Sequence, residues 1–270
     1  MMISKRKISI DVKENTYLDA WIDETDMRPG IVIVPGGGYE MISETETEVV
    51  AQAFYEKGFQ AFILYYSVNP RRDKPLFDRP IKQLSAAISL IRQNAWEYKT
   101  NQNTVGVCGF SAGGHIAACE SVHWKRLEDC KVQGFNKPDF VVLSYPVISM
   151  EEYAHKPSRL ALLGEHPQTE DVEFMSAQKW VASDSPQYFI WHSAGDRDVS
   201  VMNSLLFAKA CEKAGCSYAL HVFRKGHHGE HGLLPREGKN AEINMWMEIF
   251  EAWFLQLQSD KSEKTETEQK

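Results

Sequence analysis

A serine between two glycines is the strongest chemical signal in the chain. Residues 105–115 read VGVCGFSAGGH, which places the spacing G-x-S-x-G at Gly109, Ser111 and Gly113, between an apolar run and a helical one. So sharp a turn from strand to helix leaves room only for small residues beside the serine, and it projects the hydroxyl from the top of a sheet. The N-terminus of the following helix also favours negative charge on a bound substrate. We therefore predict that Ser111 is a nucleophile.

The same glycines could instead open a phosphate-binding helix. Phosphate-binding turns read G-x-G-x-x-G or end in Lys followed by Ser or Thr. The segment has neither pattern, so the nucleophile interpretation is preferred.

A second glycine-rich segment follows the first apolar run. Residues 35–39 read PGGGY, and the backbone N–H groups of glycines can approach an oxyanion without obstruction from side chains. Loss of one such donor costs about 3 to 4 kcal/mol of transition-state stabilisation. Alone, this segment would be merely a turn, but with the serine turn it predicts an oxyanion hole made by Gly37, Gly38 and Ala112. Tyr39 is predicted to bind substrate by lining the acyl pocket, and a packed aromatic is the alternative.

Carboxylates and histidines follow later apolar runs in the order that a catalytic triad can use. Residues 192–199 read HSAGDRDV, and residues 223–229 read FRKGHHG. In one such order the nucleophile comes first, then the acid, then the histidine. The histidine would take the proton of Ser111, and the carboxylate would hold the histidine in the correct tautomer. Both groups are expected in loops at the carboxyl ends of strands, on the same edge of the sheet as the serine.

The residue pattern leaves two choices open. Asp196 competes with Asp198 for the acid. His227 competes with His228 for the base, with His231 as a more distant candidate. His227 and His231 are also spaced for a metal site, but the glycines around them do not favour a helix and no carboxylate motif accompanies them. We therefore predict no metal and no cofactor.

Short apolar runs alternate with helical periods along the chain. These runs are nearly continuously apolar, as strands buried on both faces of a parallel sheet should be. They lie at residues 31–34, 61–64, 105–107, 140–143, 188–191 and 220–223. Apolar residues spaced by three and four at 81–95 and 243–257 predict helices. The alternation predicts an α/β fold with a mostly parallel, twisted sheet and helices on both faces, and residues 3–22 would add a leading antiparallel pair, about eight strands in all.

One stretch, residues 147–185, interrupts this alternation with short helical fragments and turns. A long excursion between two strands of a compact domain is usually functional, so we predict a small cap; a surface insertion without a role is the alternative. No linker rich in Pro, Gly or Ser divides the chain, so we expect one domain over residues 1–258. The polar residues 259–270 are expected to form a disordered tail.

The composition excludes several classes of protein. The 270 residues are 43% hydrophobic and carry a formal net charge of −7, which argues against nucleic-acid binding. No apolar run is long enough to span a membrane, and the N-terminal residues lack the apolar stretch of a secretory signal. The five cysteines are an odd number without a CxxC pair. We read them as reduced thiols in a cytoplasmic protein.

Taken together, the motifs resemble one branch of a known superfamily. The segments PGGGY, GFSAGGH, YPVIS, LLGE, WHSAGDRDVSVMNSLLFAKACEKAG and HVFRKGHHG, within residues 28–255, resemble the acetyl-esterase and carboxylesterase branch of the α/β-hydrolases, especially small bacterial relatives of feruloyl and acetyl-xylan esterases. The resemblance implies an α/β-hydrolase fold. Its D-x-x-V pattern ends at Val199 and selects Asp196, and its H-x-F-x-x-G-x-H-G pattern starts at His221 and selects His228.

The chain departs from this family pattern at three positions. Many relatives have His where Pro35 stands, Pro where Ser200 stands, and Gly where His227 stands, so the shape of the pocket and the pH profile are open. The acidic residue that follows the glycine loop in the family falls at Glu46, for which a role on a helix surface is expected.

These inferences predict a serine esterase that hydrolyses short acyl esters through an acyl-enzyme intermediate. The resemblance adds acetylated sugars to the candidate substrates. A serine peptidase of the prolyl-oligopeptidase type is one alternative, although such enzymes carry a large extra domain. A non-catalytic binding protein is another, although such proteins lose the triad histidine or acid. The helix with Trp246 and Trp253 could belong to the core or to a homodimer surface.

Overall fold

The computed structural model describes residues 3–11, 13–127, 134–234 and 242–268, and of residues 261–268 only the backbone. Within these ranges the strands are β1 (Ile3–Asp11), β2 (Thr16–Asp23), β3 (Arg28–Val34), β4 (Gln60–Tyr65), β5 (Thr100–Phe110), β6 (Phe140–Ser144), β7 (Gln187–Ser193) and β8 (Tyr218–Phe223). The helices are α1 (Glu48–Glu56), α2 (Arg79–Gln93), α3 (Ser111–His123), α4 (Lys156–Leu163), α5 (Thr169–Phe174), α6 (Met202–Ala214) and α7 (Trp246–Glu268).

The strands form one sheet in the order β1-β2-β4-β3-β5-β6-β7-β8. The pairs β1/β2 and β2/β4 are antiparallel. The other five pairs are parallel. The prediction of a mostly parallel sheet of about eight strands with a leading antiparallel pair is therefore confirmed.

The two faces of the sheet carry separate apolar clusters because successive side chains of a strand point to opposite faces. On β3, Val32 and Val34 pack with residues of α2 and α3. Ile31 and Ile33 pack on the other face, with residues of α1 and α7. All four side chains are fully buried. Burial on both faces is the reason that this strand reads as a continuous apolar run.

The two tryptophans of α7 pack against the sheet. Trp246 is fully buried, and its ring stacks on that of Trp191 with the centroids 5.3 Å apart. Trp253 lies with its ring centroid 6.2 Å from that of Phe140 and 5.7 Å from that of Phe189. The sequence left a core and a homodimer surface open for this helix. The structure places Trp246 in the core, and Trp253 is partly buried against it.

The carboxyl ends of the parallel strands bring four segments to one edge of the sheet. The glycine loop follows β3, Ser111 follows β5, Asp196 lies three residues after the end of β7, and His228 lies five residues after the end of β8. Residues 147–185 lie between β6 and β7, where they form α4, α5 and a 3₁₀ turn but no strand. The predicted cap segment is therefore helical.

Three further sequence expectations concern the termini, the membrane and the thiols. The backbone of α7 extends to Glu268, into the segment 259–270 that was expected to be disordered, and the side chains from residue 261 onward lie outside the described residues. In the described ranges no helix is long and apolar enough to cross a membrane. Four cysteines are free and buried there, namely Cys108, Cys119, Cys211 and Cys216; Cys130 lies outside the described residues.

Candidate active site

The turn between β5 and α3 holds Ser111 in a strained backbone conformation. Its φ is +51°, a region that L-residues other than glycine rarely adopt and that costs about 1 to 3 kcal/mol. The neighbouring glycines are sterically required. A Cβ atom on Gly109 would lie 2.4 Å from the carbonyl oxygen of Gly113, and one on Gly113 would lie 2.0 Å from that of Val34. The backbone therefore makes the sharp turn from strand to helix that the G-x-S-x-G spacing predicts, with small residues on both sides of Ser111.

A continuous hydrogen-bonded chain links Ser111 to a histidine and a carboxylate. Ser111 Oγ lies 2.7 Å from Nε2 of His228, and Nδ1 of His228 lies 2.7 Å from Oδ2 of Asp196. A carboxylate only accepts, so Nδ1 carries the proton and Nε2 is free to accept from the serine hydroxyl. The arrangement can therefore draw the proton from Ser111 as its oxygen attacks an electrophile.

Asp196 is held as a buried anion by several donors. Its Oδ1 accepts the backbone N–H groups of Asp198 at 3.0 Å and Val199 at 2.9 Å. Burial favours the neutral acid, but hydrogen bonds from His192 and His228 outweigh it and hold the pKa of Asp196 below its usual value. A carboxylate that stays ionised can stabilise the imidazolium that forms when His228 takes a proton.

The competing residues lie elsewhere. Asp198 and His227 are exposed at the surface. His231 is fully buried, its carbonyl accepts the indole N–H of Trp246 at 2.8 Å, and its ring packs edge-on against Phe110 at 6.1 Å. Of the two aspartates and three histidines that the residue pattern left open, the structure joins Asp196 and His228 to Ser111.

His192 is a second histidine on the carboxylate, and the sequence reasoning missed it. It is fully buried, and its Nε2 lies 3.3 Å from Oδ2 of Asp196 and 3.0 Å from the carbonyl oxygen of Val199. Both are acceptors, so Nε2 carries the proton, and Nδ1 accepts the hydroxyl of Ser204 at 2.8 Å. The sequence did contain a signal for this contact, because His192 lies four residues before Asp196 in the segment HSAGD.

The glycine loop presents two unoccupied backbone donors beside Ser111. Gly36 packs so closely that a Cβ atom there would lie 2.9 Å from Cβ of Ser111, and its N–H donates to Glu46. Gly37 and Gly38 adopt positive φ angles of +114° and +65°. Within the described residues no protein acceptor binds the N–H of either glycine. These two donors, together with Ala112 at the start of α3, can serve an oxyanion.

Tyr39 departs from its predicted role in the acyl pocket. Its side chain is fully buried, so it offers no surface to a substrate, and the alternative of a packed aromatic describes it. Its hydroxyl lies 2.5 Å from Nδ1 of His115 on α3. Tyr39 lies in the turn that carries the glycines, with a positive φ of +67°, and its ring packs against those of Tyr66 and His115.

Glu46 is also not on the helix surface that the sequence analysis expected. It is 3% exposed, with Oε2 accepting the N–H of Gly36 at 2.6 Å and Oε1 accepting the hydroxyl of Tyr145 at 2.7 Å. Burial raises its pKa, and the two hydrogen bonds oppose the shift. The ring of Tyr145 in turn packs edge-on against that of His228, 5.2 Å away. Glu46 thus links the glycine loop by hydrogen bonds to Tyr145, whose ring contacts that of His228.

A metal centre was one alternative for the histidines. In the part of the chain that the structure describes, no group of three or more His, Cys, Asp or Glu side chains is arranged to hold a metal ion.

The sequence is similar to a known protein family and to two curated proteins. The model of the BD-FAE family matches residues 17–211. Endo-1,4-beta-xylanase B of Butyrivibrio fibrisolvens is 36% identical over 218 residues, 78% of this chain and 34% of the relative. Acetylxylan esterase of Xylanibacter ruminicola is 32% identical over 232 residues, 83% of this chain and 46% of the relative. The chain thus spans less than half the length of these curated relatives.

One solved structure matches this chain over nearly the whole length of both proteins. The acetyl ester-xyloside bifunctional hydrolase from Caldicellulosiruptor lactoaceticus shares 34% identity with a TM-score of 0.83, and the match covers 93% of this chain and 96% of that one. Together with the observed sheet, such matches confirm the predicted α/β-hydrolase fold.

Proposed function

The chain belongs to the BD-FAE family, and from that premise we propose that it is a serine esterase with Ser111, His228 and Asp196 as its catalytic triad. One observation carries the proposal. Ser111 Oγ and His228 Nε2 are 2.7 Å apart, and His228 Nδ1 and Asp196 Oδ2 are also 2.7 Å apart. At these distances the proton of Ser111 can pass to Nε2 of His228 without rearrangement of the side chains, while Asp196 accepts the hydrogen bond from Nδ1 of His228.

The first half of the reaction forms an acyl-enzyme. Ser111 Oγ attacks the carbonyl carbon of the ester while its proton passes to Nε2 of His228. The carbonyl oxygen becomes an oxyanion that accepts the N–H groups of Gly37, Gly38 and Ala112. When the tetrahedral intermediate collapses, the bond to the alcohol oxygen breaks and His228 returns the proton to that oxygen.

The second half releases the acid. A water molecule gives a proton to His228 and attacks the acyl carbon, and the Ser111 oxygen leaves with the proton that His228 donates. Asp196 stays ionised throughout and stabilises the transient imidazolium. These steps use the protein's own groups and require no cofactor.

The proposed substrates are short-chain acyl esters, with acetylated sugars as the favoured class. Support for the sugar comes from the names of two relatives, an acetylxylan esterase and an acetyl ester-xyloside hydrolase. We further propose that residues 1–258 act as one domain, with residues 147–185 as a cap over the carboxyl edge of the sheet. The cap approaches the glycine loop, since Ser158 Oγ would lie 3.9 Å from a Cβ atom on Gly38.

The test is hydrolysis of 4-nitrophenyl esters from acetate to octanoate by wild type and Ser111→Ala. We expect activity confined to short acyl chains, and a loss of about 10⁶-fold in kcat for the variant, the size seen when a triad serine is removed. Ser121→Ala changes a buried serine on the same helix and should keep its activity. An inactive wild type, or an equally active Ser111→Ala, would remove the esterase proposal and direct attention to peptide substrates.

A further inference from the structure

The segment between β6 and β7 brings another imidazole to the mouth of the candidate site. His155 directly precedes α4 and is half-buried. Its ring centroid lies 6.5 Å from that of His228, with the ring planes inclined by 30°. The triad chemistry makes no use of this residue, so its place beside the base needs another account.

A buried serine fixes the orientation of the His155 ring. Nδ1 lies 2.7 Å from Oγ of Ser158, a residue that is fully buried. The side chain of His155 does not cap α4, because it makes no hydrogen bond to the first-turn backbone. Ser158 also approaches the glycine loop, since its Oγ would lie 3.9 Å from a Cβ atom on Gly38, so the residue that orients the His155 ring lies near the proposed oxyanion donors.

The second nitrogen of His155 is available to a ligand. Among the described residues, no protein group forms a hydrogen bond with its Nε2. Burial and the neighbouring His228 lower the pKa of His155, while Asp198, Asp196 and Glu40 oppose the shift. The ring therefore favours the neutral form, in which Nε2 is a donor or an acceptor according to the direction of the bond with Ser158. Either form suits a hydroxyl group and neither suits an alkyl chain.

The position of the ring indicates which part of an ester it would meet. In the proposed reaction His228 protonates the leaving oxygen, so the alcohol portion of the substrate lies beside His228. Two imidazoles with centroids 6.5 Å apart can contact two oxygens of one small molecule when each hydrogen bond is about 2.8 Å long. An alcohol that contacts both imidazoles would need a second hydroxyl group near the esterified oxygen, as a sugar has.

We infer that His155 is a specificity-determining residue that binds a free hydroxyl of the alcohol portion, next to the acylated oxygen. The inference rests on the proposed esterase function and extends it to the polyhydroxy alcohols among the esters. It requires no covalent step of its own. His155 acts by holding the leaving group against His228, so its removal lowers the preference for sugar esters over plain esters.

The experiment compares two acetates that differ in their hydroxyl groups. One is a mono-O-acetylated methyl xyloside, and the other is cyclohexyl acetate, whose ring has no hydroxyl. The measured quantity is the ratio of kcat/KM for the two substrates, from acetate release, in wild type and His155→Phe. We expect the ratio to fall by about 5- to 10-fold, the value of one neutral hydrogen bond, and most of the change to appear in KM.

Two variants complete the design. His155→Gln retains a polar group that can bind a hydroxyl and should restore part of the ratio. His166→Phe makes the same chemical change at an exposed position of the same segment, and its ratio should match that of wild type. The unfolding midpoint of each variant is measured alongside, so that activity is compared only between folded proteins.

The outcomes separate this inference from the function on which it rests. An equal loss on both acetates, or an unchanged ratio in His155→Phe, would overturn the role of His155 and leave the esterase proposal intact. A wild type that hydrolyses neither acetate, or a Ser111→Ala variant that hydrolyses both, would instead overturn the esterase proposal. A selective loss in His155→Phe with recovery in His155→Gln would support the inference.

Discussion

The hydroxyl of Tyr39 lies 2.5 Å from Nδ1 of His115, a contact that ties the glycine loop to the first turns of α3. On its other side, Nε2 of His115 lies 2.7 Å from the carbonyl oxygen of Met175. Burial lowers the pKa of His115 to about 4, so the ring is neutral near pH 7. A neutral ring facing a carbonyl carries its proton on Nε2, and Nδ1 therefore accepts from the hydroxyl of Tyr39. One imidazole thus joins the glycine loop, the helix that begins at Ser111 and the predicted cap segment.

Removal of that hydroxyl should affect both stability and catalysis. Tyr39→Phe leaves Nδ1 of His115 buried without a donor, which costs about 1 to 3 kcal/mol of unfolding free energy. It also loosens the loop that carries Gly37 and Gly38, so kcat on 4-nitrophenyl acetate should fall. Urea unfolding and steady-state kinetics measure the two effects.

A matched change separates positioning from stability. Tyr188→Phe removes another buried hydroxyl, which lies 2.9 Å from Oγ of Ser121, away from the loop. It should lose stability but keep kcat. Equal kcat in the two variants would show that the link between Tyr39 and His115 does not position the loop.

The two aspartates after β7 should respond very differently to the same substitution. Asp196→Asn removes the acceptor that sets the tautomer of His228, and a change of this kind lowers kcat by about 10⁴-fold in a well-characterised triad. Asp198→Asn alters an exposed carboxylate and should stay near the wild-type kcat. The assay is hydrolysis of 4-nitrophenyl acetate by both variants at one pH. If Asp198→Asn were the more damaged, the assignment of the acid would be reversed.

Glu120 should make the stability of the protein depend on pH. Its carboxyl group is fully buried on α3, and in the described part of the chain neither oxygen has a hydrogen-bond partner. Burial raises its pKa well above the ordinary 4.5, and the nearby charge of Arg92 only opposes the shift. Above that ordinary value the folded state keeps a proton that the unfolded chain releases. The unfolded state binds fewer protons, so the free energy of unfolding falls as the pH rises.

Glu120→Gln removes this dependence at nearly constant volume. Relative to wild type, the variant should gain stability as the pH rises above the ordinary pKa of 4.5, by up to about 1.4 kcal/mol for each pH unit. Urea unfolding of both proteins near pH 5 and near pH 8 gives the comparison. Glu165→Gln, at an exposed position, serves as the control. A stability difference that stayed constant with pH would show that Glu120 ionises normally in the folded protein.

Much of the fold and of the candidate site could be predicted because these features depend on residues that are close together in the sequence. The continuous apolar run of β3 follows from its burial on both faces, and the glycines around Ser111 follow from a turn whose backbone leaves no room for a Cβ atom. Ser111, Asp196 and His228 each follow a strand of the parallel part of the sheet, so all three lie at the same edge. The residues alone left two candidates for the acid and three for the base, and only the resemblance to esterases selected one of each.

The sequence by itself therefore determined the strands of the sheet, the turn at Ser111 and the edge of the sheet at which the candidate catalytic residues lie. These features depend on apolar periodicity and on backbone sterics, which are set by residues close together in the chain. Only the tertiary structure decided that Tyr39 and Glu46 are buried, that His192 contacts Asp196, and that His155 faces His228. Burial and contact between distant segments depend on how loops from different strands pack together, and no local pattern specifies that packing.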